Sequence, residues 1–265
     1  MVIALLCGCE IIPENERLIP TEADPYGNRT HVLLEFTGFR CVNCPTAAET
    51  AQTLHVLYGA QLTVVALHPA SNPFTQGKYD YTCPAADSIY LFMNGTATTS
   101  FPTGNIDMKA VNDRWFFDYA EWPAEVSKAM EDSICPPLSI ETEVDTINKD
   151  ISIFASFDYY FSSARNARLA LWLVEDSVKG VQAMPDGSVN MEYYHRHVLR
   201  AVADDKPFGV PTTPDMMTGH IPLPEGCNPD HCTIVALLLD NKDYHILQAY
   251  ETKLDYSHAV SPVDD

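Results

Sequence analysis

Residues 31–69 read HVLLEFTGFRCVNCPTAAETAQTLHVLYGAQLTVVALHP, and their pattern decides the fold of the first half of the chain. Val32 to Phe36 is almost continuously apolar, as a strand covered on both faces requires. Thr37-Gly38 ends it, and Cys41 and Cys44 follow in a C-x-x-C arrangement. Pro45 suits the first turn of a helix, where a missing N–H does no harm, and Ala47, Ala48, Ala51, Leu54 and Tyr58 recur at helical spacing until Gly59 stops the helix. A second apolar run over residues 62–67 completes a strand, turn, helix, strand unit, the pattern of a parallel crossover.

Beyond this unit, residues 69–87 are turn-rich, and a short helix is expected over 85–93. Phe101-Pro102-Thr103-Gly104 then leads into a short strand at 105–108, and a helix is expected from Pro123 to about Ser133. After Pro136-Pro137 the period changes. Ile151, Ile153, Ala155, Phe157 and Tyr159 alternate with mainly polar residues, and strand-like runs follow at 169–174, 181–184, 189–202, 233–239 and 245–250. The second half is therefore expected to be all-β, an antiparallel β-sandwich beginning near Pro136.

The chain has 265 residues, enough for two domains with their own cores, and a net charge of -20. Such a balance argues against nucleic acid or an anionic membrane surface as a direct partner. Eight cysteines favour an oxidising compartment. No apolar run approaches the roughly 18 to 20 residues that span a bilayer.

A C-x-x-C at a helix start has a chemical logic. The unsatisfied N–H groups and partial positive charge of the helix N-terminus favour a thiolate at the first cysteine, and the second can close back onto it. Arg40 would favour the anion further. With Phe101-Pro102-Thr103 downstream and Glu35 within the first strand, the segment resembles a thioredoxin-fold domain. That resemblance implies that Cys41 is the nucleophile, Cys44 the resolving thiol, Glu35 a buried proton relay and Pro102 a cis-proline platform facing the pair. The chain departs from the family pattern at Arg40, where an aromatic residue is usual, and at Ala66, where a lysine is usual.

The N-terminal MVIALLCGC is similar to a bacterial lipobox, with Gly8 preceding Cys9 as the lipidated residue, and the acidic, proline-bearing residues up to 30 suit a tether. Together with the TGFRCVNCP block at 37–45, Pro102-Thr103-Gly104 and YHRHVLR at 194–200, the chain resembles the Bacteroidetes lipoproteins related to outer membrane protein twenty-eight. The expected organisation is a tether over 1–30, an α/β thioredoxin-like domain over 31–136 and a β-sandwich domain over 137–265. The resemblance implies a lipid anchor in the outer membrane, periplasmic or surface-exposed, and a protein disulfide substrate or surface protein partner. Two functions are carried forward: thiol–disulfide exchange, and a non-enzymatic adhesin or binding module in which Cys41–Cys44 is a fixed disulfide.

No cofactor is expected. His195 and His197, at i and i+2 on an expected strand, would share one face, but no further metal ligands are identifiable by spacing, and packing is the better reading. Cys227 and Cys232, around a proline-containing turn, are expected to form a local structural disulfide, which leaves Cys83 and Cys135 to pair by elimination.

Overall fold

Strand β1 (His31–Phe36) is buried at every position, and its apolar run gains a partner on each side. It pairs in parallel with β2 (Leu62–Leu67) and antiparallel with β3 (Thr103–Ile106). Between β1 and β2 runs α1 (Cys44–Tyr58), with Pro45 in its first turn and Gly59, at φ 54°, ending it. The structure is a computed structural model that describes residues 29–95, 99–133, 135–145, 147–161 and 163–254. Cys9, and the expected tether up to residue 28, lie outside the described residues.

Two further helices follow, α2 (Pro84–Asn94) and α3 (Trp122–Ala129). Leu33 faces α1 and α3 in a cluster with Ala47, Leu54, Val64, Trp122 and Val126, while Val32, Leu34 and Phe36 face α2 through Ile89, Tyr90 and Met93. A Cβ on Gly104 would stand 2.6 Å from the Trp122 indole, so only glycine lets that ring lie flat against β3.

The remaining strands are β4 (Leu138–Asp145), β5 (Asp150–Phe157), β6 (Ala167–Glu175), β7 (Val178–Ala183), β8 (Val189–His195), β9 (Val198–Val202), β10 (Val210–Pro211), β11 (Met217–Pro222), β12 (Cys232–Asp240) and β13 (Ile246–Lys253). They divide among three sheets. One runs β13-β12-β6-β9-β2-β1-β3, with β10 beside β6; the others are β11-β5-β4 and the hairpin β7-β8. The chain is thus a mixed α/β protein dominated by sheet.

The change of pattern at Pro136 is real, but it does not separate the sheets. Strands β6, β9, β12 and β13 extend the sheet begun by β1 to β3, and the join is one parallel bridge, Ala66 to Val198, beside Ala66 N–H to the His197 carbonyl at 2.7 Å. The continuous apolar runs of β6 and β12 follow from this position. Leu169, Leu171, Leu173, Ile234 and Leu238 pack with Ile140, Ile151 and Ile153 of the three-stranded sheet, whereas Trp172, Val174, Val235 and Leu237 pack with the α2 side. Full burial on both faces removes the need for polar alternation.

Near the chain's first described residues a buried polar network fixes β1. Asp107, at φ 57°, accepts from Arg29 Nη2 at 3.0 Å and from Val32 N at 2.8 Å, and lies 2.6 Å from His31 Nδ1. Arg29 also pairs with Asp132 and donates to the Ile246 carbonyl at 2.6 Å, so the network reaches β13.

Candidate active site

Cys41 and Cys44 are joined by a disulfide across the turn that opens α1, with their Cα atoms 5.4 Å apart. Cys44 occupies the first turn of the helix, and Cys41 lies just before it, its amide hydrogen-bonded to the Gly38 carbonyl at 3.0 Å. The Phe101–Pro102 peptide is cis. Thr103 pairs with Phe36, which puts Pro102 at the end of the sheet from which the cysteine loop departs, and Phe101 shares a core cluster with both cysteines. Arg40 is exposed, and its guanidinium donates to the Gln76 carbonyl at 3.3 Å.

Glu35 lies opposite Ala66 on one side and Gly104 on the other. It is 3% exposed, its Oε1 has no hydrogen-bond partner among the described residues, and burial pushes its pKa up to about 8. Glu35, Cys44, Ala66, His68, Tyr193 and His195 line a common cavity of about 20 Å3. The structure therefore brings Glu35 together with Cys44, and Pro102 to the same end of the sheet.

The second half closes the site. Gln182 of β7 donates from Nε2 to the Cys41 carbonyl at 2.8 Å, and Ala183 N donates to the Phe39 carbonyl at 2.7 Å. The Tyr81 hydroxyl accepts from Val181 N at 2.7 Å, and its ring lies 4.5 Å from that of His195. Under this hairpin Cys41 is 1% exposed and Cys44 2%.

His195 and His197 do not share a face. Residue 197 sits at φ 53° in a turn that breaks the expected strand 189–202 into β8 and β9. His195 points inward, its Nε2 3.2 Å from the Val181 carbonyl, and burial lowers its pKa to about 4. His197 Nε2 instead lies 3.3 Å from Gln52 Oε1, and its Nδ1 3.8 Å from Asp176. Cys227 and Cys232 stand as thiols with their sulfurs 3.2 Å apart. Cys83 and Cys135 are not joined to each other: Cys83 is a buried thiol preceding α2, and the Cys135 sulfur accepts from Gln248 Nε2 at 2.9 Å.

Sequence reasoning placed Glu35, Cys41, Cys44 and Pro102 by spacing. It missed His68, Gln182 and Tyr193, which reach the site only through tertiary packing. For His68 a signal existed, since it stands two residues beyond Ala66 and so on the same side of the chain as the position opposite Glu35.

The site is thus a disulfide at a helix start, beside a buried acid, on a mixed sheet. The model of the family outer membrane protein Omp28 matches residues 92–258, and the chain belongs to that family, which places it at the outer membrane. Among solved structures it is similar to HBP35 of Porphyromonas gingivalis, with a TM-score of 0.66 and 14% identity over 90% of this chain and 80% of that one. It is also similar to protein AGR_C_4864 from Agrobacterium tumefaciens, with a TM-score of 0.51 and 14% identity over 87% of this chain and 96% of that one. A domain of the outer membrane lipoprotein Omp28 from Porphyromonas gingivalis aligns with a TM-score of 0.33 and 13% identity, covering 45% of this chain and 94% of that one. No curated protein matches the chain in sequence.

Proposed function

We propose that this outer membrane protein exchanges disulfides with protein substrates through Cys41 and Cys44, on a thioredoxin-like unit formed by β1, α1, β2, β3 and the cis Pro102. The observation that carries the reading is Glu35: a carboxyl buried beside Cys44 whose Oε1 has no hydrogen-bond partner among the described residues. Such a group destabilises the fold by roughly 1 to 3 kcal/mol or more, which a static cross-link has no use for and a proton transfer does. A substrate thiolate attacks the Cys41 sulfur, the Cys41–Cys44 bond breaks, and the Glu35 carboxyl protonates the departing Cys44 thiolate. The second substrate thiol, as thiolate, then attacks the mixed disulfide and frees Cys41, leaving the substrate oxidised.

In the same reading Cys9 carries the lipid anchor, residues 10–28 tether the folded part, which Arg29 and Thr30 already join, and the sheet β11-β5-β4 against β6 and β12 forms a sandwich-like binding half. Cys227 and Cys232 close into a local disulfide in the oxidising compartment. The second reading, a binding module with a fixed disulfide, is favoured by the burial of Cys41 under β7-β8.

The two readings part in one assay. Exchange predicts reduction of insulin or reshuffling of a scrambled substrate, and a Cys44→Ser variant that accumulates a partner linked through Cys41. No turnover and no adduct would leave the fixed disulfide. Because Gln182 ties the hairpin to the Cys41 carbonyl, Gln182→Ala is expected to speed reduction of the disulfide by dithiothreitol several-fold, followed by mass-tagging of the released thiols.

A further inference from the structure

Three buried polar atoms around the cavity beside Cys44 have no partner among the described residues: Glu35 Oε1 and both ring nitrogens of His68. His68 is 2% exposed and belongs to no other network; its neighbours are rings, Tyr81 at 5.8 Å and His195 at 5.7 Å between centroids. Leaving two imidazole nitrogens dry and unpaired is costly, and polar atoms in that state are normally satisfied by internal water. The cavity, at about 20 Å3, meets the roughly 10–15 Å3 that one water needs, and it is lined by both side chains and by Cys44. The small side chain of Ala66, opposite Glu35, lines it too.

We propose that His68 is the positioning residue for proton transfer at Cys44, holding through one internal water the Glu35 carboxylate that remains after the proton has gone to the sulfur. This rests on the exchange reading of the site and deepens it. His68 touches neither substrate nor sulfur in this role; its ring N–H orients the water that donates to Glu35. Burial first, then the charges of His195 and Arg200, keeps the His68 pKa well below its ordinary value, so the ring stays neutral through the working range and contributes a donor rather than a charge. Charge around the pair comes from Arg196 at the cavity wall and from Arg200 on β9, which is paired with Glu175 at 3.4 Å. Tyr193 of β8 also faces Glu35, its pKa raised to about 12 by burial and by that carboxyl and Glu49, so it stays protonated as well. Tyr81, its pKa raised by burial, packs its ring against those of His68 and His195 behind the wall.

The test has one arm that needs no turnover. In the oxidised protein, the Glu35 side-chain carboxyl is titrated by carbon NMR between pH 6 and pH 10, with Glu35→Gln assigning the resonance. In His68→Leu, which fills the space without donors, the Glu35 midpoint is expected to rise by about one pH unit, a tenfold change in its acidity. In His68→Gln, which restores an N–H donor, the midpoint should return towards the wild-type value. The second arm follows reduction by dithiothreitol, expressed per reagent thiolate. Its rate should fall as Glu35 ionises, and in His68→Leu that fall should move to higher pH by the same interval. An unmoved midpoint in His68→Leu, or equal midpoints in the Leu and Gln variants, would overturn the proposal. If the Glu35 midpoint moves as expected while no variant, nor the wild type, turns over a protein substrate, the coupling stands and the exchange function is what fails.

Discussion

An Asp107→Ala variant is expected to lose about 3 to 5 kcal/mol of folding stability, read as a large drop in the urea midpoint with the slope of the transition unchanged. The carboxylate is buried and serves three groups at once: Arg29, His31 and the backbone N–H of Val32. Its removal leaves a guanidinium that is 8% exposed with only the solvent-facing Asp132 as a charged partner, and strands the first amide of β1 after His31. The contribution is asymmetric. The intact network is not an argument for exceptional stability, because desolvating its charges offsets much of their attraction; breaking it is what costs. Asp107→Asn keeps an acceptor for Val32 N and tolerates the left-handed backbone, so its loss should be smaller. Equal losses in the two variants would mean that the acceptor kept by asparagine contributes nothing and that the charge carries the whole effect.

Stability of the oxidised protein is expected to peak near pH 6.5 and to decline by about 2 kcal/mol by pH 8, with Glu35→Gln abolishing the alkaline decline. Glu35 is raised from 4.5 to about 8 in the fold, so its contribution is complete below pH 4.5 and is lost as pH climbs towards 8, while the unfolded chain ionises and the native one does not. His68 and His195 work in the opposite sense. Both are depressed from 6.5, so their contribution is complete above 6.5 and is lost as pH falls. Between 4.5 and 6.5 the two histidines outweigh the single acid and stability rises with pH; above 6.5 only Glu35 is left and stability falls. Urea midpoints across pH 5 to 8.5 test this, and a wild type and a Glu35→Gln variant with parallel alkaline limbs would refute it.

The first sheet strands and α1 were legible because hydrophobic runs and helical spacing are local signals, and the same holds for Cys41, Cys44, Glu35 and Pro102, which are fixed by order along the chain. What a period cannot show is which strand lies beside which. The runs of β6 and β12 were recognisable as strands, yet nothing in Leu169 to Val174 says that they continue the sheet of Val32 to Phe36. Strand β4 went unread although Leu138, Ile140 and Val144 alternate with Ser139, Glu141 and Glu143; β11 carried less signal, with Gly219 and Pro222 diluting Met217 and Ile221. His195 drew notice for the wrong reason. Its proximity to His197 suggested a shared face, and the positive φ at 197, invisible in the residue type, sent the two rings apart.

The bridge between Ala66 and Val198 has a mechanical meaning. Along this line the backbone ladder of the sheet is a single residue pair, and the line runs past the cavity, with Ala66 and Arg196 on its wall and His197 next in the chain. One core cluster holds Val32 and Leu34 together with Trp172 and Val235, so side-chain packing rather than the backbone ladder carries load across this line. The amide of Ala66 should therefore exchange with solvent hydrogen earlier than those of Leu33 or Leu237.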